Sequence, residues 1–250
     1  MIKISIITVC FNSEKTIEDT VQSVISQDYP NIEYIIVDGA SKDNTLQIVE
    51  KYKDTISQII SEPDKGIYDA MNKGISAATG EVIGILNSDD VFADNSAISA
   101  IAKVFEDSST DATYGDLVYV QSNNLNKITR NWKSKPYKEG AFLNGWMPPH
   151  PTFYVKKKYY ETLGTYNLQL TSAADYELML RFIHKHKINV AYIPKTLVKM
   201  RVGGQSNISL KNRLKANNED RFAWKINELK PHFYTLFLKP LSKLGQFFRK

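Results

Sequence analysis

The chain has 250 residues, 42% of them apolar and 24% charged. That is enough to bury a substantial core and too evenly mixed for a disordered, collagenous or coiled-coil protein. A single cysteine, Cys10, excludes an intramolecular disulfide and a cysteine-built metal finger, in keeping with a reducing compartment. The net charge of +5 divides unevenly: residues 195–250 carry 13 Lys and Arg against 3 Asp and Glu, and residues 1–194 carry 19 against 24. An acidic body with a basic end points to an anionic partner, whether phosphate, nucleic acid or an anionic membrane surface.

Residues 4–9 are apolar apart from Ser5 and Thr8, as in a strand covered on both faces. The run stops at Asn12 and Ser13, too short for a membrane span and without a small-residue cleavage site, so secretion is not expected. Ile17, Val21, Val24 and Ile25 recur at helical spacing within 14–27, and 34–37 reads as a second central strand. A helix over about 44–53 leads to a strand at 56–60, a helix at about 67–78 and a strand at 82–86. Strands alternating with helices predict an open, doubly wound, mainly parallel α/β sheet. Further on, 113–120 and 127–132 bracket an Asn-rich turn as a hairpin, and 175–186 is an amphipathic helix. Residues 189–202 form one more strand, ending at Gly203 and Gly204. Without repeats, low-complexity stretches or a Gly/Ser linker, the chain reads as one compact domain with a C-terminal appendage.

Such sheets bind ligands beyond the carboxyl ends of their strands, and four polar loops fall there. Among them, Asn87-Ser88-Asp89-Asp90 is the strongest local signal, because adjacent carboxylates after an apolar strand repel unless a cation or donors compensate them. A hard divalent ion bridging to a diphosphate is one solution; capping of a helix near Ser96 is the other. Asp38 is placed to accept from a ribose hydroxyl or a base N–H. Neither the G-x-G-x-x-G fingerprint nor the G-x-x-x-x-G-K-[ST] phosphate loop occurs, so a bound nucleotide's phosphates would be met by a metal and by side chains.

Four blocks in order, Ser5-Ile6-Ile7-Thr8-Val9-Cys10-Phe11-Asn12, Ile36-Val37-Asp38-Gly39-Ala40-Ser41-Lys42-Asp43-Asn44-Thr45, Glu62-Pro63-Asp64-Lys65-Gly66-Ile67-Tyr68-Asp69-Ala70-Met71-Asn72-Lys73-Gly74 and Asn87-Ser88-Asp89-Asp90, resemble the family 2 glycosyltransferases of the GT-A fold. The resemblance covers about residues 1–205. It implies a GT-A, Rossmann-like mixed sheet, mainly parallel and flanked by helices, followed by a helical appendage. The implied reaction moves one sugar from a nucleotide diphosphate sugar, UDP-linked, to a hydroxyl of a glycan or lipid-linked glycan precursor, with inversion and with Mn or Mg as cofactor. By the same resemblance Thr8, Val9 and Asn12 contact the nucleotide, Asp38 and Lys65 its base or ribose, Asp90 the metal and Asp89 the donor sugar. Asp175, in Ser172-Ala173-Ala174-Asp175-Tyr176-Glu177-Leu178, matches the general base, with Ala174 where the family commonly has Glu. His150, between Pro149 and Pro151, would lie at the diphosphate or acceptor, and Arg201 would neutralise the leaving diphosphate. One departure is Gly39, which stands where many members carry a second aspartate. The Q-x-x-R-W block of processive synthases is missing, which implies addition of a single sugar.

From the residues alone, Asp175 is a first-turn helix residue favoured by the dipole, Lys65 a solvated charge and His150 a structural histidine. The domain reading is a glycosyltransferase domain over 1–205 and a basic amphipathic tail over 206–250. In the tail Leu210, Leu214, Phe222, Ile226 and Leu229 share one helical side. After Pro231, the residues Phe233, Phe237, Leu241, Leu244 and Phe248 recur among Lys239, Lys243, Arg249 and Lys250. Such a stripe suits peripheral contact with the inner face of the cell membrane by a cytoplasmic protein, or packing on the catalytic domain. The rival to an enzyme is a nucleotide-sugar-binding or nucleic-acid-binding module without transferase activity; the resemblance implies no nucleic acid partner.

Overall fold

A computed structural model of the chain describes residues 1–203 and 210–242. Its first half follows the strand and helix alternation closely. Strands β1 (Ile4–Cys10), β2 (Ile32–Asp38), β3 (Gln58–Ser61) and β4 (Val82–Ile85) pair in parallel in the order β3-β2-β1-β4. They are linked by α1 (Ile17–Ile25), α2 (Thr45–Glu50) and α3 (Ile67–Ala77). Every residue of β1 is buried, as a central strand with layers on both faces requires. Parallel pairing brings the carboxyl ends of all four strands to one rim.

The second half departs from simple alternation. After β5 (Val91–Phe92) and α4 (Ala97–Val104), β6 (Ala112–Gln121) and β7 (Asn124–Trp132) form the expected hairpin. The short strand β8 (Tyr154–Lys156), which the sequence pattern does not reveal, then inserts antiparallel between β4 and β6. Three residues are too few for periodicity to register. Gly84 in β4 makes the insertion possible: a Cβ there would overlap the Tyr154 ring, and Tyr154 is wholly buried. Helices α5 (Lys157–Leu163) and α6 (Ala174–Met179) follow, α6 running on into a π-helical turn at Leu180–Lys185. Strand β9 (Val190–Arg201) pairs parallel to β6 and antiparallel to β5, completing the order β3-β2-β1-β4-β8-β6-β9-β5 with β7 on β6. Because β9 ends at Arg201, it delivers that side chain beside the loop that follows β4.

Helices α7 (Leu210–Ile226) and α8 (Thr235–Ser242) are the last described elements. Among the described side chains of α7 the buried ones are Asp220, Ala223 and Trp224, joined by Asn227 just past its end, whereas Phe222 and Ile226 of the expected stripe, and Leu229 beyond the helix, are half-buried. The face is offset because two of its members are polar and satisfied by partners, a pattern that apolar spacing cannot register: Asp220 pairs with Lys239 at 2.6 Å, and Asn227 donates to Glu177 at 2.8 Å. Phe233 and Phe237 stand 89% and 65% exposed. The side chains of Leu210, Leu214 and Leu241 lie outside the described residues, as do Gly204, Lys243, Leu244, Phe248, Arg249 and Lys250. Among the described residues no helix is long and apolar enough to cross a membrane.

Candidate active site

The rim at the ends of β1, β2 and β3 is held together by its own polar side chains. Asp38 is fully buried. Its Oδ1 accepts from the Ser41 hydroxyl at 2.5 Å and from the Cys10 thiol at 3.7 Å; its Oδ2 accepts from the Ser41 N–H at 3.1 Å and the Ser61 hydroxyl at 2.8 Å. The carboxylate expected to read a base or ribose thus organises the loop beneath. Asn12, at φ 50°, accepts from the Lys42 N–H at 2.8 Å through its side chain, and so ties the first loop to the second. Thr8 and Val9 are buried within β1, and the Thr8 hydroxyl accepts from Tyr34 at 3.1 Å. Their side chains therefore face the core, and the rim beside them is formed by the exposed Phe11 and Lys65. Gly39 has a steric reason: a Cβ there would collide with the Asp64 carboxylate and touch the Phe11 ring. A second aspartate after Asp38 would displace Asp64.

The loop after β4 carries Asp89 and Asp90. At the start of α4 the Asp94 carboxylate accepts from the Ser96 N–H at 2.9 Å and Gln27 from the Ile98 N–H at 3.0 Å, so the acidic pair is not spent on that helix. Asp90 is completely buried, and its Oδ2 accepts no hydrogen bond. Burial, then the neighbouring Asp89 charge, push the Asp90 carboxyl well above the usual carboxylate range. Burial also raises Asp89, against the opposing charges of Arg201 and His150. Asn87, at the start of the loop, likewise has a buried Oδ1 with no donor. The donor-less Asp90 Oδ2 and Asn87 Oδ1, with the Asp89 carboxylate beside them, suit a hard divalent cation, whose preferred ligands are oxygens. The loop itself is braced by α1: the Thr20 hydroxyl lies 3.0 Å from the Ser88 carbonyl and 2.8 Å from that of Asp90.

Arg201 sits against this loop with its charge already engaged. It donates to the Asp89 carbonyl at 2.8 Å and the Ser122 carbonyl at 3.1 Å, pairs with Asp19, and gives its backbone N–H to Asp90 Oδ1 at 3.3 Å. Only 6% of the residue is exposed. In this structure the guanidinium expected to reach a diphosphate is part of the frame that holds the two aspartates.

Across the rim, α6 presents Asp175 in its first turn. His150, held in the turn after Pro149, brings Nδ1 to 3.3 Å from Asp175 Oδ2, and the Tyr68 hydroxyl donates to Asp175 Oδ1 at 3.3 Å. Tyr68 belongs to α3 and stacks on Tyr166 with ring centroids 5.4 Å apart. Burial and the Asp175 charge drive its phenol well above its ordinary value, so it stays a protonated donor at neutral pH. Tyr68 lies inside a quoted block, yet nothing in its spacing separates it from a core tyrosine. Replacing Tyr68 by Phe keeps the stack and removes the donor; turnover is expected to fall by about tenfold, the scale of one hydrogen bond to a charged group, with donor affinity unchanged. Equal turnover in steady-state assays of the two proteins would exclude this contribution.

The sequence model of Glycosyl transferase family 2 matches residues 5–164. The chain belongs to that family. An uncharacterized glycosyltransferase of Mycobacterium tuberculosis is 32% identical over 180 residues, spanning 71% of this chain and 68% of that one. A PGL/p-HBAD biosynthesis glycosyltransferase of Mycobacterium bovis is 28% identical over 186 residues, with the same coverage. Among solved structures, residues 1–349 of S. aureus TarS in complex with UDP-GlcNAc align with TM-score 0.68 at 18% identity, covering 90% of this chain. This glycosyltransferase spans only 65% of that TarS chain. Mannosyltransferase PcManGT from Pyrobaculum calidifontis, in complex with GDP-Man and Mn2+, aligns with TM-score 0.71 at 19% identity, covering 98% of this chain and 71% of that one. The fold is the GT-A fold, as the four blocks implied, and the reading as a binding module without transferase activity gives way to an enzyme.

Proposed function

We propose that this glycosyltransferase transfers one sugar, with inversion, from a nucleotide diphosphate sugar to a hydroxyl of a glycan or lipid-linked glycan precursor. The observation that carries this reading is the opposition, across one rim, of the buried Asp89–Asp90 pair and the Tyr68–Asp175–His150 cluster. The nucleotide lies along the loops after β1, β2 and β3, bounded by Phe11, Asp64 and Lys65. Asp90, with Asn87 and Asp89 beside it, would hold a divalent ion, Mn or Mg. When bound there, such an ion supplies charge neutralisation to the diphosphate. Asp175 takes the proton of the acceptor hydroxyl as its oxygen forms the new bond to the sugar's anomeric carbon and the bond from that carbon to the diphosphate breaks. Tyr68 and His150 hold the two carboxylate oxygens from opposite sides and limit their rotation. Neutralisation that the engaged Arg201 does not provide falls to the cation, His150 and the exposed Lys65.

The solved relatives carry either UDP-GlcNAc or GDP-Man, and a UDP-linked donor is our first choice. Thermal unfolding with UDP-GlcNAc, GDP-mannose, UDP and GDP, each with Mn²⁺ or with chelator, tests the reading. A ligand at one hundred times its dissociation constant stabilises the native state by about 2.7 kcal/mol, a shift of a few degrees. A metal-dependent shift with one nucleotide series is expected; no shift with either series would remove the basis for the proposed donor. The exposed Phe233 and Phe237, on a basic segment, support peripheral contact with an anionic membrane carrying a lipid-linked acceptor.

A further inference from the structure

Helix α6 bears Asp175 but has no capping side chain of its own: its N-cap residue is Ala173, which offers no acceptor. Orphan amides at a helix start need acceptors from elsewhere. Of these, only the N–H of the N-cap residue Ala173 is met from α7, together with the two N–H groups that precede it. The Glu219 carboxylate accepts from three consecutive backbone N–H groups, Thr171 at 3.1 Å, Ser172 at 2.7 Å and Ala173 at 3.0 Å. Its other oxygen accepts from the Thr171 hydroxyl at 2.7 Å. On the far side of Asp175 the same C-terminal segment takes hold again. Trp224 donates to the Tyr176 hydroxyl at 2.9 Å, Lys239 lies 3.5 Å above the Tyr176 ring, and Asn227 reaches Glu177 at 2.8 Å. The chain on both sides of Asp175 is thereby fixed by α7 and α8, while the Asp175 side chain alone is left to the site.

We infer that Glu219 is a positioning residue for Asp175, and that the C-terminal helices belong to the catalytic unit. The inference rests on the reading of Asp175 as the base. A charged acceptor on three amides is about twice as strong as its neutral counterpart, and it complements the positive end of the helix dipole. Without it the segment 171–174 can turn, and a displacement on the order of 1 Å at the base is enough to cost about a hundredfold in rate.

The test reads the position of Asp175 directly. The His150 Cε1–H cross-peak, recorded by NMR at fixed pH with histidine labelled, reports the Asp175 carboxylate 3.3 Å away. Asp175→Asn sets the full displacement of that peak. Glu219→Gln, which leaves a neutral amide oxygen for the three N–H donors and so weakens bonds that are charge-assisted in the wild type, is expected to move the peak toward that limit. Glu219→Asp should restore it in part. Glu33→Gln breaks a buried cluster with Ser5, Thr79 and Lys3 at the other end of the strands, and should leave the peak in place despite its cost in stability. If Glu219→Gln fails to fold, Trp224→Phe removes the Tyr176 bond with little change in volume and should move the peak in the same direction. A His150 peak that stays at its wild-type position in folded Glu219→Gln, or in folded Trp224→Phe where the former does not fold, would overturn the inference. Turnover retained in Asp175→Asn would instead overturn the base assignment and leave the peak positions as they are.

Discussion

Asp175→Asn is expected to lower transfer by about 10²- to 10⁴-fold, the usual contribution of a positioned general base, with donor affinity unchanged. The amide keeps the volume of the carboxylate but has no place for the proton of the acceptor hydroxyl. Its NH₂ would also face one of the two donors that hold the carboxylate, the Tyr68 hydroxyl or His150 Nδ1, both at 3.3 Å, so some reorientation accompanies the loss of charge. The distinguishing measurement is a pair: steady-state transfer, and the thermal shift produced by the donor with Mn²⁺. An unchanged shift with lost transfer separates proton abstraction from binding. Transfer surviving in Asp175→Asn within a few-fold of wild type would require another base, and the described rim offers no second carboxylate held in this way.

Asp90→Ala should act in opposite directions on the free and the ligand-bound protein. In the free protein Asp90 is a buried carboxyl with one oxygen lacking any donor, and burial with the Asp89 charge raises its titration. A group whose folded pKa lies above its unfolded value contributes stability at low pH that is lost as pH rises. Its removal therefore relieves the native state of a buried carboxyl that folding holds at a cost as pH rises, partly offset by the small cavity. The melting temperature without ligand should hold or rise. The metal-dependent shift with nucleotide sugar should vanish, about 2.7 kcal/mol at saturating donor, and transfer should fall with it. A variant that keeps the metal-dependent shift would remove Asp90 as the ligand. A melting temperature lower by several degrees without ligand would mean that the buried carboxyl is compensated in the free protein after all.

These two residues show how differently parts of the site can be read. Asp90 announces itself, because a polar pair immediately after an apolar strand is a local contradiction that some partner must resolve. Asp175 carries no such mark. At the start of an amphipathic helix an aspartate is ordinary, and only the family blocks set it apart. The assignment of roles on the nucleotide side shows the opposite limit. Asp38 and Arg201 are the residue types a nucleotide diphosphate would want, yet Ser41, Ser61 and Cys10 already donate to the first, and Asp19, Asp89 and Ser122 engage the second. Whether a charge is available or already spent depends on neighbours as far as 182 positions away in the chain, as for Arg201 and Asp19, and spacing carries no record of that.

What the sequence by itself determined was the parallel half of the sheet, its polar rim and the family. Strand and helix periodicity, and the change from apolar to polar at each strand end, are local and repeat every few residues. The tertiary structure alone decided three things: the insertion of β8 against Gly84, the convergence of Tyr68 and His150 on Asp175, and the embrace of α6 by α7. Each depends on a contact between segments distant in sequence, and each is made by a residue whose local pattern fits a core or surface role equally well. Glu219 is the clearest case. On a helix rich in charges it is one more acid, and it becomes the brace of the chain entering another helix only because the face of α7 turned inward sets Asp220 beside Ala223 and Trp224.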